Sequence, residues 1–253
     1  MGRVRDGNED RSVVREDRGT LLLAVADGVG GSAGGEIAAD AAVVALADRF
    51  FSAPGDRTLE DRLADAIRDA NTAVLKAAAS SGNSQAASTL VAAAVRQDHL
   101  VVANLGDSRA YLVRDGVSRQ LTEDHSGDLQ HAITRFVGDP RGVQPDVFVE
   151  DLRPSDRLVL CSDGLTRHVS PEEIATAVAA SADIDAAAGA LIDMANARGG
   201  EDNVTVVLYV AREASRIWRP SRRALAFGIF VALVLVVVIG AFAVLFSLAP
   251  FAR

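Results

Sequence analysis

The chain has 253 residues, enough for one large domain or two small ones, and 49% of them are apolar, so a sizeable core can form. Its 34 acidic against 26 basic residues leave a formal charge of −8, which argues against nucleic acid as a partner. Cys161, the single cysteine, sits in an apolar run and reads as a structural thiol in a reducing compartment.

In chain order, residues 1–18 are polar and charged, with an edge strand expected over 11–16 and a buried strand over 20–26. Gly30, Gly31, Gly34 and Gly35 predict a flexible turn, followed by an alanine-rich helix from about residue 36 to residue 50. Leu59, Leu63, Ile67 and Val74 recur at helical spacing and predict a second helix over 58–79. A small, polar loop over 80–87 leads into strands over 88–96, 100–105 and 110–113, with a hairpin turn at Arg114-Asp115-Gly116. Two more strands are expected over 147–151 and 157–161. At Ser170-Pro171-Glu172-Glu173 the serine can cap, the proline fits the first helical position, and the second glutamate closes a capping box. Helices over 171–180 and 185–197, a loop over 198–203 and a strand over 204–210 complete the globular part. Strands and helices come in runs, which predicts an α+β fold with mostly antiparallel sheets.

No residue from Ala224 to Ala249 is charged, a run longer than the ~20 residues needed to cross a bilayer. Arg216, Arg219, Arg222 and Arg223 precede it and only Arg253 follows, so the positive-inside rule places the globular part in the cytoplasm. The expected organisation is a catalytic domain over 1–211, a basic linker over 212–223, a transmembrane helix over 224–249 and a short extracytoplasmic tail over 250–253. The protein is then a single-pass protein of the cell membrane.

Four aspartates stand in short turns containing Gly or Asn: Asp27 in ADGVGG, Asp107 in NLGDSR, Asp163 in CSDGL and Asp202 in GGEDN. Three of them follow apolar runs that read as strands, and strands ending this way can gather carboxylates at one end of a sheet. Such a cluster of like charges is unfavourable until cations neutralise it, and hard oxygen ligands suit magnesium or manganese. Read from these residues alone, the chain is a metal-dependent hydrolase. Any one of them alone would be a turn former, and Glu9-Asp10 alone a solvated charge pair.

Laid in order, RDGNEDR (5–11), ADGVGGSAGGEIA (26–38), STLVAAAV (88–95), ANLGDSRAYLVRDG (103–116), LTEDHS (121–126), ITRFVG (133–138), VLCSDGLT (159–166) and GGEDNVTVVL (199–208) resemble one family. It is the metal-dependent, type 2C protein serine/threonine phosphatases in their bacterial form, and the likeness covers about residues 3–210. The resemblance implies a central antiparallel β-sandwich flanked by helices on both faces, with two manganese or magnesium ions at one edge. It implies that Asp27 bridges both ions, that the Gly28 carbonyl adds a ligand, and that Asp163 and Asp202 complete the second ion's set. Glu9 and Asp10 would hold metal-bound waters, Arg5 would bind the substrate phosphate, and Asp107 would serve a weaker third metal site.

The implied reaction is hydrolysis of phosphoserine and phosphothreonine by direct attack of a metal-bridging hydroxide, with no phosphoenzyme. Its substrates would be phosphorylated proteins, membrane serine/threonine kinases among them. The chemistry suits these residue types: a phosphate monoester resists hydroxide, and paired cations both activate water and neutralise the phosphoryl oxygens. Arginine grips phosphate through two parallel hydrogen bonds, which lysine cannot do.

The chain departs from the family at three places. Relatives carry a histidine in or before the glycine turn, where this chain has Val29 and Ser32, so no general acid is named. Only six residues separate Ser126 from Ile133, where relatives have a flap, which predicts an open site. Met1 falls just before the first motif, so the family's opening strand is missing or truncated and a sheet edge is bare, or the start is misassigned. Asp124-His125 reads as a structural turn in preference to metal ligands, and Arg135 and Arg167 as surface charges in preference to substrate contacts. Two rival functions are a membrane-tethered phosphoprotein-binding scaffold and a phosphatase for small molecules.

Overall fold

The structure is a computed structural model that describes residues 2–5, 7–29, 32–83, 85–127 and 133–212. The span over 224–249, its tail, and the linker beyond Arg212 lie outside the described residues. Among those described, no helix is long and apolar enough to cross a membrane.

Among the described residues, ten strands build two sheets. The larger orders β1 (Asp10–Asp17), β2 (Thr20–Val29), β4 (Leu90–Arg96), β5 (His99–Leu105) and β8 (Asp146–Asp151), with the two-residue β3 (Ala87–Ser88) added to the end of β2. The smaller orders β10 (Val206–Val210), β9 (Arg157–Cys161), β6 (Arg109–Arg114) and β7 (Val117–Gln120). Every strand pairing is antiparallel. The β6–β7 hairpin turns at Asp115 and Gly116, both at positive φ (52° and 77°), the geometry of a two-residue hairpin turn.

Strand alternation explains why the central strands read as unbroken apolar runs. Leu22, Ala24 and Ala26 of β2 point to a cluster shared with α1 (Ser32–Ser52) and α2 (Leu59–Ser81), where Leu46, Phe50, Leu63 and Ile67 are fully buried. Leu23 and Val25 point the other way, against Leu112, Leu158 and Leu160 of the second sheet. That sheet's outer face, with Tyr111, Val159 and Cys161, packs on Ile174 and Val178 of α4 (Pro171–Ala180) and Leu191 of α5 (Ile184–Ala197). The result is helices, sheet, sheet, helices: an α+β sandwich with both faces of both sheets covered. Each fully buried leucine in these layers contributes about 1.5–3 kcal/mol.

The capping predictions hold. Ser170 accepts from Glu173 N at 3.3 Å while the Glu173 carboxylate accepts from Ser170 N at 3.0 Å. Thr58 caps α2 through Asp61 N at 3.1 Å.

Three local expectations are corrected. Asp27 is not in a turn after β2 but inside it, because the strand runs on to Val29 by pairing with β3. Gly34 and Gly35 belong to α1, not to a turn, while Gly30 and Gly31 lie outside the described residues. The expected strand over 88–96 is broken at Thr89, whose hydroxyl accepts from Asp27 N (3.0 Å) and meets Ser108 Oγ (2.7 Å).

Candidate active site

One end of the sandwich carries a pocket of about 310 Å³ whose walls include Arg5, Glu9, Asp27, Gly28, Asp107, Asp163 and Asp202. Five separate stretches of chain supply these residues. β1 starts at Asp10, which pairs directly with Asp27 on β2, so two carboxylates stand side by side on neighbouring strands. The Asp27 carbonyl accepts from Thr89 N (2.8 Å) and Ser88 Oγ (3.0 Å), fixing the strand end from the other side. Asp163 opens α3 (Asp163–Thr166), a single turn directly after β9, with Ser162 at its cap position. Ser162 Oγ donates to Asp10 Oδ2 at 2.8 Å and accepts from Thr205 N at 3.0 Å, tying β9, β1 and the approach to β10 together. Asn203 is buried and joins the last stretch to the first, accepting from Glu9 N (2.9 Å) and donating to Gly7 O (3.0 Å).

Bare backbone lets these pieces approach. A Cβ on Gly28 would lie 2.2 Å from Gly35 O, and one on Gly35 would lie 2.5 Å from Glu9 Oε2. Any side chain at either position would push α1 away from the pocket.

The electrostatics are those of an acidic cluster that two arginines compensate only in part. Burial drives the Asp27 carboxyl well above the usual range, and the charges of Asp10, Asp163, Asp202 and Asp107 add to the shift. Asp10, 3% exposed, is also raised by burial, partly offset by hydrogen bonds from Thr205 and Ser162. Asp107 is lifted to about 6 by burial and by Asp163. Arg5, half exposed at the rim, donates to Asp202 Oδ2 at 3.0 Å. Arg167 donates to Asp163 and stands 3.7 Å from Asp202.

The donor set fits hard divalent cations. Oδ1 of Asp10, Asp107 and Asp163 are buried acceptors with no hydrogen-bond partner among the described residues. The described acids lining the pocket are all carboxylates, with no thiol or imidazole beside them. Among the described residues, no three such side chains already converge as a ready ligand set for one ion. In their place, Arg5 and Arg167 occupy oxygens of Asp202 and Asp163.

Arg167 is the residue that the sequence reading misjudges. It lines the pocket, whereas Arg135 is bound to Asp146 and the Gln144 carbonyl. The usable signal is spacing: one helical turn after Asp163 brings residue 167 to the same side. Asp124 and His125 are structural, as expected: Asp124 takes three hydrogen bonds from Arg109, and His125 Nδ1 accepts from Gly106 N at 3.0 Å. Cys161 is fully buried on β9, and burial pushes its thiol up to about 12.

Comparison with known proteins gives the family. The Protein phosphatase 2C family profile matches residues 3–200. The serine/threonine phosphatase stp of Listeria innocua is 36% identical over 230 residues, covering 82% of this chain and 91% of that protein. PstP, a serine/threonine protein phosphatase of Mycobacterium tuberculosis, is 34% identical over 226 residues, or 82% of this chain and 43% of PstP. Among solved structures, a Streptococcus agalactiae serine/threonine phosphatase superposes with TM-score 0.76 at 31% identity, covering 83% of this chain and 96% of that one. The catalytic domain of PstP in complex with two manganese ions superposes with TM-score 0.71 at 35% identity, covering 82% and 93%. The chain therefore belongs to the protein phosphatase 2C family and is a metal-dependent serine/threonine phosphoprotein phosphatase of the bacterial type.

Proposed function

We propose that the chain hydrolyses phosphoserine and phosphothreonine in proteins at a two-ion site held by Asp27, the Gly28 carbonyl, Asp163 and Asp202. Asp107 would serve a weaker third ion. The observation that carries this reading is the meeting of five carboxylates from distant segments in one pocket with Arg5 at its rim. Manganese or magnesium ions, when bound, bring water to hydroxide near neutral pH and neutralise phosphoryl charge.

The chain's own residues do the rest. Asp27 and Asp163 present acceptors from a hydrogen-bonded strand and a helix start, so the main chain that carries them is held in place. Glu9 and Asp10 stand beside and behind them as acceptors that orient water. Arg5, exposed enough to move from Asp202 to an incoming phosphate, supplies a planar two-pronged donor. Val29, at the pocket wall, offers no proton for the leaving group. The burial of Cys161 inside the outer layer supports a reaction without a thiol phosphoenzyme.

The uncharged run over 224–249 and the arginines before it support anchoring in the cell membrane with the catalytic domain cytoplasmic. Anchoring raises the effective concentration of membrane-bound phosphoproteins, serine/threonine kinases among them. The test is hydrolysis of a phosphothreonine peptide with added manganese. Turnover that survives chelation, or that Asp163→Asn leaves unchanged, overturns the site. Full-length protein recovered in the soluble fraction of cells overturns the anchor.

A further inference from the structure

A second cavity, of about 320 Å³, lies against the catalytic pocket and shares Val29 and Ile133 with it. The two differ completely in chemistry. Val29, Ala87, Ile133, Phe136 and Pro140 give the second one an apolar lining, and Gln85 is its one polar side chain among the described residues. Its volume is at the lower end of ordinary ligand cavities, ~300–1,000 Å³.

The partition between the two cavities follows from the path of β2. Two residues past Asp27, Val29 pairs with Ala87, while Gly28 pairs with Ser88, which pairs in turn with Val137. Hydrogen bonds Ser88 N to Val137 O (3.0 Å) and Val137 N to Ser88 O (2.8 Å) close this small ribbon. Alternation buries Ser88 on one face and leaves Val29 and Ala87 together on the other, where Val29 is 41% exposed. The far wall is held just as firmly. Buried Asn71 of α2 accepts from Gly138 N (2.6 Å) and Asp139 N (2.9 Å) and donates to Asp139 O (3.0 Å). A hollow with no charged side chain among the described residues, and with an exposed valine at its lip, therefore adjoins the acidic catalytic pocket.

Its occupant follows from that continuity. A phosphorylated side chain in the catalytic pocket brings its flanking residues with it, and an extended peptide advances ~3.3 Å per residue. A neighbour one or two positions away reaches the far side of Val29. Resting on the reading of the first pocket as the phosphate site, we infer that the second cavity binds an apolar side chain of the protein substrate, one or two residues from the phosphorylated serine or threonine. It disfavours charged side chains there, because its lining has no counter-charge among the described residues. The enzyme thus selects phosphosites by an adjacent apolar residue.

The experiment scans Leu, Ser and Asp through the two positions before and the two after phosphothreonine in a short peptide, with manganese. p-Nitrophenyl phosphate, which has no flanking residues, reports whether each protein carries out the chemistry at all. At one of the four positions Leu is expected to exceed Asp by roughly 10-fold or more in kcat/KM, the scale of discrimination by an apolar pocket. Phe136→Ala should cut that ratio to about threefold or less, and Phe136→Leu should keep it. Pro140→Asp, at an exposed turn position, should also abolish the preference and stands in if Phe136→Ala does not fold. Equal rates for all wild-type peptides, or the same leucine preference in Phe136→Ala and Pro140→Asp, overturn the subsite while p-nitrophenyl phosphate turnover keeps the phosphate site standing. Loss of turnover on every substrate by the wild-type protein overturns both.

Discussion

Carboxylates in this molecule live under two regimes. Away from the pocket each of several is matched to its own arginine. Asp156, only 3% exposed, takes Arg114 Nε and Nη2 at 2.9 and 2.6 Å, Asp139 takes Arg141, and Asp146 takes Arg135. Burial alone would raise Asp156, yet the Arg114 pair and the Arg153 N–H bring it below the ordinary carboxylate range. Asp139 and Asp146 are lowered mainly by their arginine hydrogen bonds. At the pocket the sign reverses: Asp27, Asp10 and Asp107 are all raised, by burial first, with the nearby charge of Asp163 adding to each shift. The same fold that neutralises its acids one by one elsewhere leaves a concentrated negative charge at one end. Such local disfavour is what a cation-binding site needs before the cation arrives.

The contrast breaks most sharply at Asp27. Asp27→Asn should lower manganese-dependent turnover by roughly 10³-fold, since several kcal/mol of transition-state stabilisation go with the ions. In chelator it should raise the melting temperature above wild type, because a buried charge among like charges is removed. A lower melting temperature would show that the cluster is not strained. The mirror experiment is Arg114→Ala, which leaves Asp156 buried and half-satisfied. It should cost about 2–3 kcal/mol by chemical denaturation, with turnover per folded molecule unchanged. No loss there would mean that the paired regime contributes nothing.

The smallest effect belongs to Glu173, partly exposed and held at about 2 chiefly by hydrogen bonds from Arg198. Its folded value is depressed, so its contribution is intact above the unfolded value of 4.5 and lost as pH falls from there towards about 2. Wild type should therefore exceed Glu173→Gln in melting temperature at neutral pH, and the gap should close in that window. A gap constant down to pH 2 would separate the capping geometry from the charge.

Much of this architecture is legible in the amino-acid sequence alone. The capping box at Ser170, the apolar stripe of α2 and the runs of β4, β5 and β9 are local signals, and each forms nearly where its pattern puts it. The acidic motifs are legible too, because Asp before Gly marks a chain reversal or strand end. What is not legible is non-local. Asp27 reads as a turn residue until β3, some sixty residues away, extends its strand. Gly34 and Gly35 read as turn residues until α1 packs them against the Asn83 and Glu9 side chains and, at Gly35, against the Gly28 main chain. Arg167 reads as a surface charge because the four residues of α3 are too few to show a period.

The contact of Gly28 with Gly35 has a consequence for anyone reshaping this enzyme. Two bare backbones touch there, so the helical layer and the acidic end of the sandwich share a seam with no slack. A saturation library should find both positions intolerant even of alanine, although neither offers a side chain to the reaction. Widening the binding region for bulkier targets is better attempted from the side of Phe136 and Pro140, where added or removed atoms meet open space before they meet the main chain.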